Sequence, residues 1–208
     1  MTPETITSPS TRDKLVEAAM ELFYFQGYEG TSIADILHRA GVNSGSLYYF
    51  FRGKEDLLLG VLQKYKELLY QEVIDPAFAK TNDPIERIFA LLDNYRHGLQ
   101  FTHFTGGCPI GNLALELRET HEEARRLIAE NFDGWRDAVR KTLDDAAGRF
   151  PPHVDREQLA TFILTVMEGG VMQARAHGSI EPFDACVRQL RTYFNLLLGD
   201  QAPQKERA

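Results

Sequence analysis

The 208-residue sequence predicts an all-α protein of about nine helices. Apolar residues recur three and four positions apart along most of the chain, the spacing that keeps them on one helix face. Each such stretch opens on a capping residue and stops at glycine or proline, which is how helices are punctuated. No segment reads as a strand, and no internal repeat is present.

The first helix runs from a cap at Ser10 or Thr11 to Gly27, with Leu15, Ala18, Ala19, Leu22 and Phe23 on one face. A second starts on Thr31 or Ser32 and places Ile33, Ile36, Leu37 and Ala40 at i, i+3, i+4 and i+7. Gly41 stops it, because glycine accepts the left-handed backbone of a helix C-terminus. Asn43, a good N-cap, opens a third helix through Leu47, Phe50 and Phe51. Two short helices joined by a tight glycine turn form a helix-turn-helix, and that pattern points at double-stranded DNA. The small residues Ser44, Gly45 and Ser46 let the third helix come close to a groove, while Tyr48 and Tyr49 offer hydroxyls to phosphate and ring faces to thymine methyls. Leu47 and Phe51 fill the inward face, so Tyr48 is the favoured outward ring. Thr31, Ser32, Asn43, Ser44 and Ser46 combine capping with DNA contact, and Lys54 supplies a point charge for the backbone.

A long helix with Leu57, Leu58, Val61, Leu62, Tyr65, Leu68 and Leu69 follows and is expected to end at Asp75-Pro76. Asp83-Pro84 opens the next, with Ile85, Ile88, Phe89, Leu92, Tyr95 and Leu99 inward, and Gly106-Gly107 breaks it. A short helix from Pro109 to about Arg118 precedes a capping box of Thr120 and Glu123 and a helix through Ala124, Leu127, Ile128, Phe132, Trp135, Val139 and Leu143, which stops near Gly148 and Pro151-Pro152. Asp155 with Gln158 starts a helix holding Leu159, Phe162, Ile163, Val166 and Met167, which passes Gly169-Gly170 and reaches about Ala176. The last helix, near Pro182 to Leu198, spaces Phe183, Val187, Leu190, Phe194 and Leu197 in coiled-coil rhythm. The ends, Met1–Ser8 and Gln201–Ala208, are expected to fray.

The stretch from Arg12 to Leu58 resembles the TetR/AcrR family of bacterial transcriptional regulators. The resemblance is carried by Ala18-Ala19-Met20-Glu21-Leu22-Phe23, Gly27-Tyr28, Thr31-Ser32-Ile33-Ala34-Asp35-Ile36, Ala40-Gly41-Val42, Gly45-Ser46-Leu47-Tyr48-Tyr49-Phe50-Phe51 and Lys54-Glu55-Asp56-Leu57. It implies a helix-turn-helix DNA-binding domain over residues 1–53 and an effector-binding and dimerisation domain over 54–208. It further implies a homodimer on a palindromic operator, most simply a repressor released by an unidentified small-molecule effector. Phe50 departs from the family, whose members often carry there a histidine that touches phosphate.

The stripes of the last two helices fit either a four-helix interface between two copies or the inside of one subunit. Operator geometry favours the dimer, since a two-fold pair sets two recognition helices one DNA turn, roughly 34–36 Å, apart.

A net charge of −7 is unusual for a DNA-binding chain. Residues 1–54 hold five basic and six acidic side chains, a local balance of −1, so the acidity lies mostly beyond them. Such a surface attracts DNA weakly and predicts a modest salt slope. No run of about 18 apolar residues exists and Met1–Ser10 is polar, so neither a membrane span nor a secretory signal is expected and the location follows as cytoplasmic. Cys108 and Cys186 make no disulfide framework or CxxC site, and the histidines show no ligand spacing, so no metal or other cofactor is expected.

Effector-binding candidates come from middle helices whose apolar faces are interrupted by polar groups: Tyr95, Phe101, Cys108, Asn112, Glu116, Trp135, Met167 and Arg175, with Met172 beside them. Glu116 and Arg175 stand out because a charge inside a helical bundle needs a partner, and an effector can be that partner. Gly106-Gly107-Cys108-Pro109-Ile110-Gly111-Asn112 has the glycines of a phosphate loop but lacks its Lys-Ser/Thr and its strand. Cys108 precedes a helix N-terminus, where the dipole favours thiolate, so a reactive sensor thiol stands against a small buried apolar cysteine. A helical enzyme with Cys108 as nucleophile is the rival function, and it leaves residues 31–54 without a purpose.

Overall fold

A computed structural model describes residues 9–199, and the ends expected to fray, Met1–Ser8 and Gln201–Ala208, lie outside the described residues. Among those residues there is no strand, and the nine helices are α1 Thr11–Gln26, α2 Ile33–Ala40, α3 Ser44–Phe50, α4 starting as Lys54–Leu68, α5 Pro84–Phe101, α6 Pro109–Glu116, α7 Glu122–Asp145, α8 Arg156–His177 and α9 Glu181–Leu198. The chain forms two compact units, one of residues up to Lys66 with Asn112–Asn131, the other of Glu67–Gly111 with residues from Phe132 onward. The division expected after residue 53 follows the helix order. By contacts, the first unit also takes in most of α4 and the segment from Asn112 to Asn131.

Local chemistry sets the helix boundaries in the first unit. Ser10 caps α1 in a capping box with Asp13, and Ser32 caps α2 in a second box with Asp35. Gly41 takes the left-handed conformation at φ 65°, and Asn43 Oδ1 then accepts the Ser46 N–H at 2.9 Å to begin α3. Leu15 and Ala19 of α1, Ile36 of α2, Leu47 of α3 and Leu57, Leu58, Val61 and Leu62 of α4 are all fully buried. At about 1.5–3 kcal/mol for each larger side chain, this shared core fixes the short α2 and α3 against longer partners. Asn131 Nδ2 donates to the carbonyls of Leu62 and Leu127 at 3.1 and 2.9 Å, which ties α7 to α4 within this unit.

Three boundaries differ from the sequence reading. The helix begun at Lys54 does not end at Asp75-Pro76 but widens into a π-helical turn, Leu69–Ile74, and continues as Asp75–Phe78. Asp75 N–H reaches back to the Tyr70 carbonyl, and that wider turn relieves the clash a proline ring makes in an α-helix. The short helix α6 ends at Glu116 rather than near Arg118. Helix α7 starts at Glu122 with His121 O accepting the Arg125 N–H, so the cap falls one residue past Thr120.

In the second unit α5, α7, α8 and α9 enclose a core of Ile88, Leu91, Leu92, Val139, Leu143, Ile163, Met167, Phe183 and Phe194. Phe194 packs edge-on against Phe89 and Phe150, with centroids 5.6 and 6.1 Å away. Helices α8 and α9 close on each other at Gly170, where an added Cβ would meet the Phe183 ring at 3.0 Å.

Candidate functional site

The outward side of α3 is small and aromatic. Leu47 is fully buried and Phe51 nearly so, which turns Gly45, Tyr48 and Tyr49 away from the core. Exposure orders the tyrosines opposite to the sequence reading: Tyr49 is 81% exposed and Tyr48 59%. On a seven-residue helix the inward centre lies between positions 47 and 51, so position 49 points most directly outward. Phe50, where the family often has histidine, is 38% exposed and meets the Tyr49 ring edge-on at 4.8 Å. Ser44 is exposed, Ser46 is half-buried with its hydroxyl on Asn43, and Ser32 stands exposed at the start of α2 with its hydroxyl engaged by Asp35.

Two expected DNA contacts turn inward instead. Thr31 is buried, and its hydroxyl donates to the Gly27 carbonyl at 2.7 Å. Lys54 donates from Nζ to the Tyr28 and Thr31 carbonyls at 2.9 and 3.1 Å, and its ammonium lies 4.2 Å from the centre of the Tyr28 ring. Sequence position alone could not show this, because a lysine opening a helix can extend outward or fold back.

Glu116 is likewise corrected as an effector ligand, since its partners are already present. Its carboxylate accepts the backbone N–H groups of Tyr28 and Glu29 at 2.8 and 2.7 Å. The chain can be gripped there because Gly27 sits at φ 80°, and a Cβ on it would come within 2.9 Å of both Glu116 oxygens. Tyr28 also packs its ring against Phe23 and His121, and His121 Nδ1 lies 3.0 Å from Glu55 Oε1. Burial, then the charges of Glu55, Glu29 and Glu116, push the Tyr28 hydroxyl up from its ordinary value. The loop between α1 and α2, which presents the helix-turn-helix, is thereby fastened to α6 and α4.

In the second unit Tyr95, Cys108 and Trp135 do come together, with Met167 in the same core, and Cys108 meets a residue the sequence reading missed, Glu168. Tyr95 packs on Trp135 at 5.7 Å, its hydroxyl hydrogen-bonds Cys108 and Trp135, and the Cys108 thiol in turn hydrogen-bonds Glu168. Burial raises the pKa of all three titratable groups. Cys108 is therefore a protonated thiol held well above its ordinary value by burial and then by Glu168, which fits the small buried cysteine and not the reactive thiolate. Glu168 Oε1 is buried without a hydrogen-bond partner, and a Cβ on Gly111 would lie 2.3 Å from Glu168 Oε2. The only sequence signal for Glu168 was its place, one residue past Met167 in an apolar stripe.

Phe101 is 87% exposed and Arg175 is exposed with its guanidinium 3.5 Å from the Thr105 carbonyl, so neither is inside the bundle as expected. Met172 is exposed too, and Asn112 is half-buried on α6. An open groove of about 850 Å³ between α5 and α9 is lined by none of the expected effector residues, and Arg191 spans it, stacked over Phe89 and paired with Glu86.

The coiled-coil stripe of α9 is spent inside its own subunit, with Phe183, Leu190 and Phe194 buried. The surface left on α8 and α9 is a different one: Phe162, Met172, Tyr193 and Leu196 are exposed, with the Phe162 and Tyr193 rings in edge contact at 5.8 Å. No described helix is long and apolar enough to cross a membrane.

Comparison with known proteins agrees with this geometry. Residues 15–61 match the family described as bacterial regulatory proteins, tetR family, and residues 84–190 match the tetracyclin repressor-like C-terminal domain. An uncharacterized HTH-type transcriptional regulator of Mycobacterium tuberculosis is 31% identical over 94% of this chain and 98% of its own. The crystal structure of a TetR transcriptional regulator from Chloroflexus aurantiacus is similar at a TM-score of 0.76 and 32% identity, covering 89% of this chain and 94% of that one. A cysteine mutant of the TetR family transcriptional regulator CifR, complexed with 26-bp double-strand operator DNA, is similar at a TM-score of 0.74 and 26% identity over 91% of this chain and 98% of that one.

Proposed function

The chain belongs to the TetR family of bacterial regulatory proteins and is a DNA-binding transcriptional regulator, and from that premise we propose that it is a dimeric repressor released from its operator by a small molecule. The observation that carries the reading is the face of α3, where Gly45, Tyr48 and Tyr49 project from a helix whose own cap and core are satisfied without them. Ser32, Asn43, Ser44 and Ser46 flank that face, and the DNA-reading parts all fall within residues 1–53. A single short helix reads few base pairs, so two copies act together, joined through the exposed residues of α8 and α9.

The effector site proposed is the cluster of Tyr95, Cys108, Trp135 and Met167, with Glu168 as the polar group that orients the ligand. Helix α6 is the transmitting element. Its first turn carries Gly111, packed on Glu168, and its last residue is Glu116, which holds Tyr28 and Glu29. A ligand that moves Glu168 moves Gly111 and with it the first turn of α6. The population then shifts to a conformer in which the two recognition helices no longer match successive major grooves.

Cys108 catalysis gains no support, because a buried, protonated thiol is a poor nucleophile. The test is a gel shift with duplexes from the chain's own gene neighbourhood, followed by a screen for compounds that dissolve the complex. Selective binding lost with one compound class supports the reading. Absence of selective binding to any of those duplexes sinks it.

A further inference from the structure

The side chains that identify guanine or adenine by paired hydrogen bonds are missing from the recognition helix. Ser44–Phe50 contains no Arg, Lys, Asn, Gln, Asp, Glu or His. The nearest such side chains lie outside the helix and have partners within the chain, Arg39 and Arg52 remaining solvent-exposed and Lys54 folding inward. Asn43 Oδ1 accepts both the N–H and the hydroxyl of Ser46, at 2.9 and 3.1 Å. Arg39 pairs with Glu21 at 2.5 Å, Arg52 with Asp56 at 3.4 Å past the far end of the helix, and Lys54 is bonded to two backbone carbonyls.

What α3 does present is one line, Gly45 and Tyr49 a turn apart, with Tyr48 beside it. Gly45 has no side chain to hold the helix off a base edge, and a Cβ there would come within 3.3 Å of the capping oxygen of Asn43. The Tyr49 ring is braced by the perpendicular Phe50 ring and left 81% exposed. The major-groove feature that matches an exposed ring next to bare backbone is the 5-methyl group of thymine, the one methyl on any base-pair edge there. Weak charge attraction by residues 1–54 leaves such contacts a large share of the affinity.

We infer that α3 reads its operator through thymine methyl groups, with Tyr49 as the principal reader and Tyr48 beside it, and not through the hydrogen-bond code for guanine. The inference rests on the DNA-binding reading and specifies the chemistry of the site it binds.

Full-length protein is used to select duplexes from a randomised pool, and deoxyuridine then replaces thymine at each recurrent position. The expected selection has thymine at recurrent positions in both half-sites, and each lost methyl at a contacted position weakens binding about fourfold. Tyr49→Ala, at a position too exposed to disturb folding, binds the selected duplex more weakly and is indifferent to the uracil exchange, with unchanged helical circular dichroism as the control. Selected sites on which the wild-type protein ignores the exchange, or whose recurrent positions are guanine, overturn the inference and leave DNA binding intact. A pool from which nothing is selected overturns the DNA-binding reading and the inference with it.

Discussion

Glu116 holds the backbone N–H of Tyr28 at 2.8 Å across 88 positions of sequence, so the loop leading into the helix-turn-helix depends on a carboxylate from α6. Removing it leaves the N–H groups of Tyr28 and Glu29 without their acceptor. Hydrogen bonds to charged groups contribute about 1.5–3 kcal/mol each when buried, and this pair is partly solvated, so Glu116→Ala should cost about 2 kcal/mol in urea unfolding. Glu116→Gln keeps one acceptor oxygen and should lose about half as much. Operator affinity should fall in the same order in both variants. If Glu116→Ala unfolds at the wild-type urea midpoint, the grip is ornamental.

Asn43 separates folding from recognition. Its side chain caps α3, and Asn43→Ala should cost about 1 kcal/mol of stability together with operator affinity. Aspartate caps equally well, so Asn43→Asp should recover the stability in thermal unfolding. It also places a negative charge beside DNA phosphate and should leave affinity low. Recovery of both properties would show that position 43 does not approach the duplex.

The caps and stops were legible in sequence because each is decided within four residues: Ser10, Ser32, Gly41, Asn43, Asp83 and Asp155 all stand where local chemistry puts them. Glu116, Lys54 and Glu168 were not, because their partners come from other elements. A glutamate at the end of a short amphipathic helix carries no mark of whether it will meet an effector, solvent or the N–H groups of a distant loop. Periodicity also shows that a face is buried without showing what buries it. The α9 stripe fitted a dimer seam as well as the inside of one subunit, and Phe183 and Phe194 fill the chain's own core.

Glu168 gives the chain a pH dependence of known sign. Burial raises its pKa above the ordinary 4.5, so the folded chain keeps this proton where the unfolded chain has released it. The stability it contributes is full below the unfolded value and is lost as pH rises through the folded one. Asp13, Asp35 and Asp56 act in the opposite sense, since hydrogen bonds from Ser10, from Ser32 and from the Arg52 N–H hold them below their ordinary value, and their contribution is lost as pH falls. Comparison with Glu168→Gln cancels those carboxylates. Urea midpoints between about pH 4 and pH 8 should show the wild type losing ground to the variant as pH rises, by about 1 kcal/mol where the buried carboxylate is charged and Oε1 is unpartnered. A difference that stays constant over that range would mean the carboxyl titrates as if in water.

The two faces of α9 should fail in different ways when altered, and that difference tests the dimer. Phe194 is fully buried among Phe89 and Phe150, so Phe194→Ala should destabilise the subunit itself by about 3–5 kcal/mol through the cavity it opens. Leu196, two residues on, is 73% exposed, and Phe162 on α8 is 46% exposed with its ring against Tyr193. Leu196→Glu or Phe162→Glu should therefore leave the folded subunit intact by circular dichroism. In a two-copy interface, however, the new charge is buried without a partner, and sedimentation equilibrium should show monomers. Operator affinity should then drop by more than tenfold, because each recognition helix is left to bind its half-site alone. Dimers that persist in both glutamate variants would place the interface elsewhere than on α8 and α9.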